Sequence, residues 1–207
     1  MSKDKEIRTI ANQLEVRATE GEGSEESRTI TGYALKFNSR SETFSGGWSE
    51  IINPGALDDV MARGDDVRAL FNHDPNLILA RSTTGTLRLE VDNIGLRYEF
   101  EAPDTTFGND LLVSIKRGDV NQSSFGFTVS QDGQEVRKED GKTTRYINKI
   151  SRLYDVSPVT YPAYSTTEAT VRSIVGIEDE PEVEVADPIE KEIITRDREL
   201  HLLKLSL

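Results

Sequence analysis

Cysteine is absent from this chain, and histidine occurs only twice, at His73 and His201. Without a thiol, a covalent nucleophile has to be a hydroxyl group, which narrows nucleophilic catalysis to serine or threonine chemistry. The same scarcity leaves few of the usual ligands for zinc, so we expect no metal site. The lack of cysteine also fits a cytosolic protein.

Positive charge and long apolar runs are scarce as well. The chain has 25 basic residues against 37 acidic ones, a net charge of −12. Binding to nucleic-acid phosphates needs clustered lysine and arginine, so a nucleic-acid partner is not expected. No apolar run approaches the roughly 20 residues of a membrane-spanning helix, so no membrane partner is expected either. The hydrophobic fraction of 35% is low for a fully packed chain and predicts a solvated tail.

Short runs of alternating and β-branched residues predict a mainly β protein with a few helices, built as an antiparallel sheet or a closed barrel. The predicted strands are 5–19, 29–37, 67–73, 84–91, 95–101, the serine segment through Val129, 145–150 and 151–156. The first two are predicted to form a hairpin. Helices are predicted over 56–62 and 108–117, the second after an Asp104-Thr105-Thr106 entry signal. Residues 131–143 are predicted to be a polar loop or hairpin tip.

The character of the chain changes after Ser173. Residues 176–187 hold six acids and no base, the composition of a solvated linker. Asp187 and Pro188 then have the form of a helix start, and an apolar stripe follows on one helical face. These patterns predict a folded domain over 1–175, an acidic linker over 176–187 and an amphipathic helix over 188–207 that docks in cis or in trans.

His73 and a serine pair are the candidates for nucleophilic chemistry. His201 lies in the predicted tail, so a catalytic histidine of the folded domain is expected at His73. Ser123 and Ser124 lie in a segment whose Gly126 permits close backbone approach and whose phenylalanines can anchor the strand. The alternative is that His73 only bonds the backbone at a strand end and that the serines are ordinary strand residues.

Asp155 is an acid inside a β-rich run, and a buried carboxylate generally needs a partner. It can orient His73 by accepting a hydrogen bond from Nδ1–H. The alternative is an ion pair with Arg145 or Arg152. Asp74 competes for the orienting role, although a residue adjacent to the histidine rarely reaches back to its ring.

Seven short motifs follow one another over roughly residues 29–172. They are Gly32-Tyr33-Ala34…Phe37, Ile51-Ile52-Asn53-Pro54-Gly55-Ala56, Val67…Leu70-Phe71-Asn72-His73-Asp74, Gly85-Thr86-Leu87-Arg88-Leu89…Asp92…Gly95-Leu96, Ile115-Lys116-Arg117-Gly118-Asp119-Val120, Ser124-Phe125-Gly126-Phe127 and Asp155-Val156-Ser157-Pro158-Val159-Thr160-Tyr161-Pro162-Ala163. In this order they resemble the prohead (maturation) serine proteases of tailed bacteriophages, the caudovirus prohead protease family.

The resemblance implies a herpesvirus-assemblin-like closed β-barrel flanked by helices. It implies a serine endopeptidase that acts in the host cytoplasm, inside the assembling procapsid, with no cofactor or metal. Its substrates would be the scaffold protein or the scaffold-like segment of the major capsid protein, and finally itself; a homo-oligomer is possible. The family's serine falls on Ser124, with Ser123 as the alternative nucleophile, its histidine on His73 and its carboxylate on Asp155. The herpesvirus enzymes use a second histidine as third member, which this chain lacks in its folded domain.

Two other function classes remain open from the sequence. One is a non-catalytic scaffold or capsid-assembly module on the same barrel, against which the intact Ser124, His73 and Asp155 argue. The other is a serine esterase for small substrates. The absence of a Gly-x-Ser-x-Gly motif and of an α/β pattern argues against the esterase.

Overall fold

A computed structural model of the chain describes residues 5–10, 14–17, 27–44, 46–139 and 141–161. The predicted linker over 176–187 and the predicted amphipathic helix over 188–207 lie outside these ranges. Neither of the two helices described below is long and apolar enough to cross a membrane.

Strands account for most of the secondary structure in these ranges. They are β1 (Glu6–Ile10), β2 (Leu14–Val16), β3 (Thr29–Lys36), β4 (Trp48–Ile52), β5 (Arg68–Leu70), β6 (Ile78–Arg81), β7 (Leu87–Val91), β8 (Gly95–Glu101), β9 (Gln122–Val129), β10 (Gln134–Glu139), β11 (Lys142–Ile147) and β12 (Ile150–Val159). The helices are α1 (Asp58–Arg63) and α2 (Thr106–Arg117). The structure is therefore mainly β with few helices, as predicted.

The strands of the described ranges form three hydrogen-bonded sheets. Their orders are β1-β9-β12-β5-β6, β10-β11-β4 and β2-β3-β8-β7. Most neighbours are antiparallel, but β11 pairs with β4 and β12 pairs with β5 in parallel. No closed ring of strands is found among the described residues, so the closed barrel stays a prediction.

The main core takes its apolar side chains from strands of different sheets and from helix α2. Phe125 and Phe127 of β9 are buried and stack with their ring centroids 4.8 Å apart. Helix α2 begins at the predicted entry signal, two residues before the predicted start at 108, and the Thr105 side chain accepts a hydrogen bond from the backbone N–H of Gly108. Gly118 ends it in the left-handed conformation at φ 82°, which glycine adopts without steric cost.

The predicted strand over 5–19 is wrong, because this stretch contributes to two different sheets. Strand β1 pairs with β9, whereas β2 pairs with β3. Only the second part of the stretch therefore forms the predicted antiparallel pair with 29–37. The position of β1 matters for the site, because it is the edge strand beside the serine segment.

The segment around His73 also differs from the prediction. Strand β5 ends at Leu70, so His73 lies in the turn that follows it and not at a strand end. The chain returns as β6, a short strand that the sequence reading missed. Residues 131–143 are predicted to be a polar loop or hairpin tip. The hairpin is present, but strand β10 and the first residues of β11 take up much of this range.

Candidate active site

Ser124 lies near the start of β9, between β1 on one side and β12 on the other. Thr9 of β1 and Ser157 of β12 are its neighbours across the two ladders. Its Oγ lies 2.6 Å from His73 Nε2 and 2.8 Å from the backbone carbonyl oxygen of Arg8. The hydroxyl has one hydrogen, so these two atoms compete for the same proton.

His73 reaches Ser124 because its turn has an unusual backbone. Asn72 and His73 both have positive φ, 54° and 58°, a region in which asparagine and histidine are enriched among non-glycine residues. The Asn72 side-chain oxygen accepts hydrogen bonds from the backbone N–H of Thr160 at 2.9 Å and from its hydroxyl at 3.2 Å. Asn72 N–H donates to the Pro158 carbonyl at 3.0 Å. These bonds hold the turn against the end of β12.

Asp155 of β12 completes the contact chain from the other side of the imidazole. Its Oδ1 accepts hydrogen bonds from His73 Nδ1 and, at 2.9 Å, from the Ser157 hydroxyl. A proton on Nδ1 leaves Nε2 free to accept from Ser124, which is the tautomer that a general base needs. Burial of Asp155 opposes its ionisation, but the hydrogen bonds and charges of His73 and Lys5 outweigh it and hold the pKa of Asp155 below its ordinary value.

The second oxygen of Asp155 contacts Lys5, the residue just before β1. Lys5 Nζ lies 2.5 Å from Oδ2, and the side chain of Asp155 is only 2% exposed. Gly126 makes this approach possible, because a Cβ there would lie 2.2 Å from Lys5 Cε and 2.5 Å from Asp155 Oδ2. The glycine of the Phe-Gly-Phe motif thus leaves the space that the Lys5–Asp155 ion pair occupies.

Ser123 faces away from His73. Its hydroxyl lies 2.7 Å from the Tyr98 hydroxyl, and both side chains are fully buried. Burial raises the pKa of Tyr98 far above its ordinary value, against a smaller lowering by the hydrogen bond with Ser123, so Tyr98 stays a neutral partner. The structure therefore brings Ser124, and not the alternative Ser123, together with His73.

The other residues considered for Asp155 and His73 have different partners. Asp74 Oδ1 accepts hydrogen bonds from the backbone and side chain of Asn76, within its own turn. Arg152 lies over the ring of Tyr154, 4.8 Å from the ring centroid. Arg145 is buried elsewhere, so neither arginine forms the ion pair with Asp155 that the sequence left open.

A second buried ionic group lies on the face of β1 that points away from the candidate site. Its members are Glu6 and Arg8 of β1, Glu50 of β4 and Arg145 of β11. Arg8 contacts Glu6 at 2.7 Å and Glu50 at 2.9 Å, and Arg145 contacts the same two acids at 2.6 and 2.8 Å. Burial opposes ionisation of Glu6, but Arg145 and Arg8 outweigh it and lower the pKa of Glu6. This ionic quartet ties β1 to the three-stranded sheet.

Residues 12–179 match the family model of caudovirus prohead serine proteases. The chain belongs to the caudovirus prohead serine protease family. The resemblance drawn from the seven motifs is thereby confirmed. Among solved structures, the chain is similar to the bacteriophage T4 capsid assembly protease, gp21, with a TM-score of 0.52 and 12% identity over 78% of this chain and 100% of that chain. That likeness shows a shared fold. No curated protein matches the chain.

Two groups that contact the site lie outside the part of the chain that matches the family model. Lys5 and the Arg8 carbonyl both precede residue 12, where the family match begins. No sequence signal indicated Lys5, because it lies 150 residues from its partner Asp155. Ser157 and Asn72 could have been suspected from the sequence, because Ser157 stands in the same motif as Asp155 and Asn72 in the same motif as His73.

Proposed function

We propose that the chain is a serine endopeptidase that uses Ser124 as nucleophile, His73 as general base and Asp155 as the acid that orients the histidine. The observation that carries this proposal is the continuous line of contacts from Ser124 Oγ through both ring nitrogens of His73 to Asp155 Oδ1. A nucleophile, a base and an orienting acid within hydrogen-bond reach are the arrangement that activates a serine for acyl transfer.

Acylation follows from this geometry. Nε2 of His73 takes the hydroxyl proton while Ser124 Oγ attacks the scissile carbonyl carbon. The imidazolium that forms is stabilised by the charge of Asp155, which keeps its own negative charge throughout. The imidazolium then gives the proton to the leaving amine as the peptide C–N bond breaks. The acyl group stays on Oγ as an ester.

Deacylation repeats the sequence with water. Nε2 takes a proton from a water molecule, the hydroxide attacks the ester carbonyl, and the proton returns to Oγ as the acid product leaves. In the resting enzyme the Arg8 carbonyl offers the Ser124 proton a second acceptor. Turnover therefore needs the proton to be directed to His73, which the Nδ1–H tautomer favours.

Access to the nucleophile is restricted. Ser124 is fully buried, whereas 11% of the His73 side chain is exposed. A reacting carbonyl has to come within about 3–3.5 Å of Oγ. A peptide substrate therefore reaches Ser124 only when groups that cover it move aside, a property suited to a protease that must not cleave every exposed chain it meets.

The proposed substrates are the proteins of the assembling prohead. The family is that of the caudovirus prohead serine proteases, and the T4 protein of similar fold is a capsid assembly protease. We extend this to cleavage of the scaffold protein, or of a scaffold-like segment of the major capsid protein, inside procapsids in the host cytoplasm. Residues 176–207 are proposed as a docking element that the enzyme removes from itself.

Co-expression with the cognate capsid and scaffold genes, followed by intact-mass analysis, tests the proposal. The parent chain should yield capsid or scaffold products with discrete mass losses, together with a form of itself shortened within 176–207. Ser124→Ala should yield none of these products, since losing a triad member costs orders of magnitude in rate. Full cleavage by Ser124→Ala, or none by the parent, would contradict the proposal, and the second result favours a non-catalytic assembly module.

A further inference from the structure

We propose that Lys5 is a positioning residue of this protease: its ammonium group holds one oxygen of Asp155 so that the other stays directed at His73. The inference rests on the proposed roles of Asp155 and His73. It adds a fourth side chain, from outside the family match, that acts on the chemistry through Asp155 and does not touch the substrate.

Lys5 contacts both the carboxylate of Asp155 and the ring of Tyr154. Lys5 Nζ lies 2.5 Å from Asp155 Oδ2, and it also lies 5.7 Å from the centroid of the Tyr154 ring. The carboxylate is nearly sealed from solvent, whereas 37% of the Lys5 side chain is exposed. The ammonium therefore reaches a buried charge from the surface, which lowers the cost of desolvating the pair compared with a fully buried lysine.

Gly126 lies beside this ion pair and supports the inference. A Cβ at 126 would lie 2.2 Å from Lys5 Cε and 2.5 Å from Asp155 Oδ2, so the end of the lysine could not stay where it contacts the carboxylate. The one position on β9 that lies between the two groups is thus the one that carries no side chain. In a buried strand a glycine lowers stability, so its presence there needs a reason, and close approach of two groups is a usual one.

The electrostatic consequence depends on every charged group around the imidazole. His73 faces the carboxylate of Asp155 on β12, and Lys5 lies beyond that carboxylate on the approach to β1. Besides that carboxylate, the groups of β9 and β12 that contact the His73 ring are the hydroxyls of Ser124 and Ser157. The carboxylate of Asp74, in its own turn, is bonded to Asn76. Arg68 of β5, the ladder neighbour of Asp155, pairs with Asp66 at 3.1 Å. Among these described cations, Lys5 is therefore the one that contacts Asp155.

Removing the ammonium should therefore have two effects. Asp155 loses a fixed contact, so the His73 ring is held less firmly and turnover falls. The carboxylate also holds the imidazolium more strongly once its charge is no longer offset, so a higher pH is needed to free the base. A residue that merely supports the fold would produce the first effect without the second.

The test compares Lys5→Met with Lys5→Arg, which keeps the positive charge, and with Lys149→Met as a matched control. Lys149 forms an exposed pair with Asp59 at 2.7 Å, away from the site. The full-length variants are assayed from pH 5 to 9 on a peptide that spans a cleavage site mapped in the capsid or scaffold protein. Lys5→Gln serves as a second neutral variant if Lys5→Met folds poorly.

We expect Lys5→Met to lower kcat by about 10- to 100-fold with KM little changed. The acid limb of its pH–activity profile should move to higher pH, by about half a pH unit or more. Lys5→Arg should restore the position of the acid limb, and Lys149→Met should match the parent. An unchanged kcat and profile in both neutral variants overturns the inference, as does a lower kcat with an unmoved acid limb.

A readout that needs no cleavage separates this inference from the proposed function. The ring signals of His73 are followed by NMR against pH in the Ser124→Ala chain, with His201 assigned from His201→Gln. Adding Lys5→Met should move the titration midpoint of His73 to higher pH. If the parent chain cleaves nothing, the proposed function fails, and this midpoint alone decides whether Lys5 acts on Asp155. An unmoved midpoint overturns the inference.

Discussion

Ser123 and Ser124 are adjacent, fully buried residues of one strand, yet they lie in different chemical surroundings. Ser124 shares its face of β9 with Gly126 and contacts His73. Ser123 shares its face with Phe125 and Phe127 and exchanges a hydrogen bond with Tyr98. Because neighbouring side chains of a strand point to opposite faces, one residue step separates the candidate site from the apolar core.

Burial and residue type alone therefore do not decide which of the two serines can be a nucleophile. Both hydroxyls are shielded from solvent, and both have a hydrogen-bond partner. Only Ser124 meets a group that can take its proton, since the phenol of Tyr98 stays neutral and serves Ser123 as a structural partner. Substitutions on the two faces should accordingly affect two different measurements, rate on one face and stability on the other.

The largest expected effect is on the site face, at Asp155. Asp155→Asn should lower kcat by about two to four orders of magnitude, because an amide can hold His73 in the tautomer that cannot accept the Ser124 proton. The chain should still fold. Initial rates on a mapped cleavage-site peptide measure the loss, and circular dichroism checks the fold.

Asp59→Asn is the matched control for this substitution, since Asp59 forms an exposed ion pair with Lys149 away from the site. It should cleave at the parent's rate. Unfolding of Asp155→Asn would instead identify Asp155 as a structural partner of Lys5. A loss of activity seen in Asp74→Asn but not in Asp155→Asn would move the orienting role to Asp74.

An intermediate effect is expected on the core face, at Ser123. Ser123→Ala leaves the buried Tyr98 hydroxyl without its partner, which should lower the free energy of unfolding by about 1–3 kcal/mol. The cleavage rate should stay close to the parent's. Urea unfolding gives the stability and the peptide assay gives the rate.

The double variant Ser123→Ala with Tyr98→Phe sharpens this prediction. Removing both hydroxyls leaves no polar group unpaired, so most of the lost stability should return. If Ser123→Ala abolishes cleavage while Ser124→Ala does not, the assignment of the two faces is wrong, and the nucleophile moves by one residue.

The smallest expected effect is a change in how stability depends on pH. The pKa of Asp155 is lower in the folded chain than its ordinary value. Its contribution to stability is therefore complete above the unfolded pKa of about 3.9 and is lost as the pH falls through the lower folded value. Removing the group should flatten the acid side of the stability curve by up to about 1.4 kcal/mol per pH unit.

The measurement compares urea unfolding between pH 5 and pH 3 for Ser124→Ala with and without Asp155→Asn, since neither chain digests itself. Glu6 has a lowered pKa on the other face of β1 and is unchanged in both chains. Its contribution therefore cancels in the comparison. Parallel curves over this range would show that Asp155 ionises equally in the folded and unfolded chains, contrary to the prediction.

Features that depend on local sequence could be predicted, and features that depend on distant partners could not. The Thr105 cap and the Gly118 stop of α2 follow from side chains within a turn of the helix, and both were expected. Strand β1 was joined to β2 in the prediction because nothing near it shows that it pairs with β9, more than a hundred residues later. The short β6 lacks a clear alternation, so its pairing with β5 had no local signal.

The candidate site divides in the same way. His73, Ser124 and Asp155 could be named because each stands in a motif with a chemical reason for its residue type. The turn that carries His73 was misjudged, since its two successive positive φ angles depend on bonds to Pro158 and Thr160. Lys5 and the Arg8 carbonyl were missed because no sequence pattern distinguishes this lysine or this peptide carbonyl from the others. Only the fold shows that they lie next to Asp155 and Ser124.

The ionic quartet fixes the register of β1 along β9. A slip of β1 along β9 by two residues would keep each side chain on its face while moving every atom by about 6.5 Å. In one direction Glu6 would take the place of Arg8 beside Glu50, and in the other Arg8 would take the place of Glu6 beside Arg145. Either slip buries like charges together, so mispaired forms are disfavoured during folding. The alternation of acid and base on one face of β1 thus sets the register in which Lys5 meets Asp155 and the Arg8 carbonyl meets Ser124.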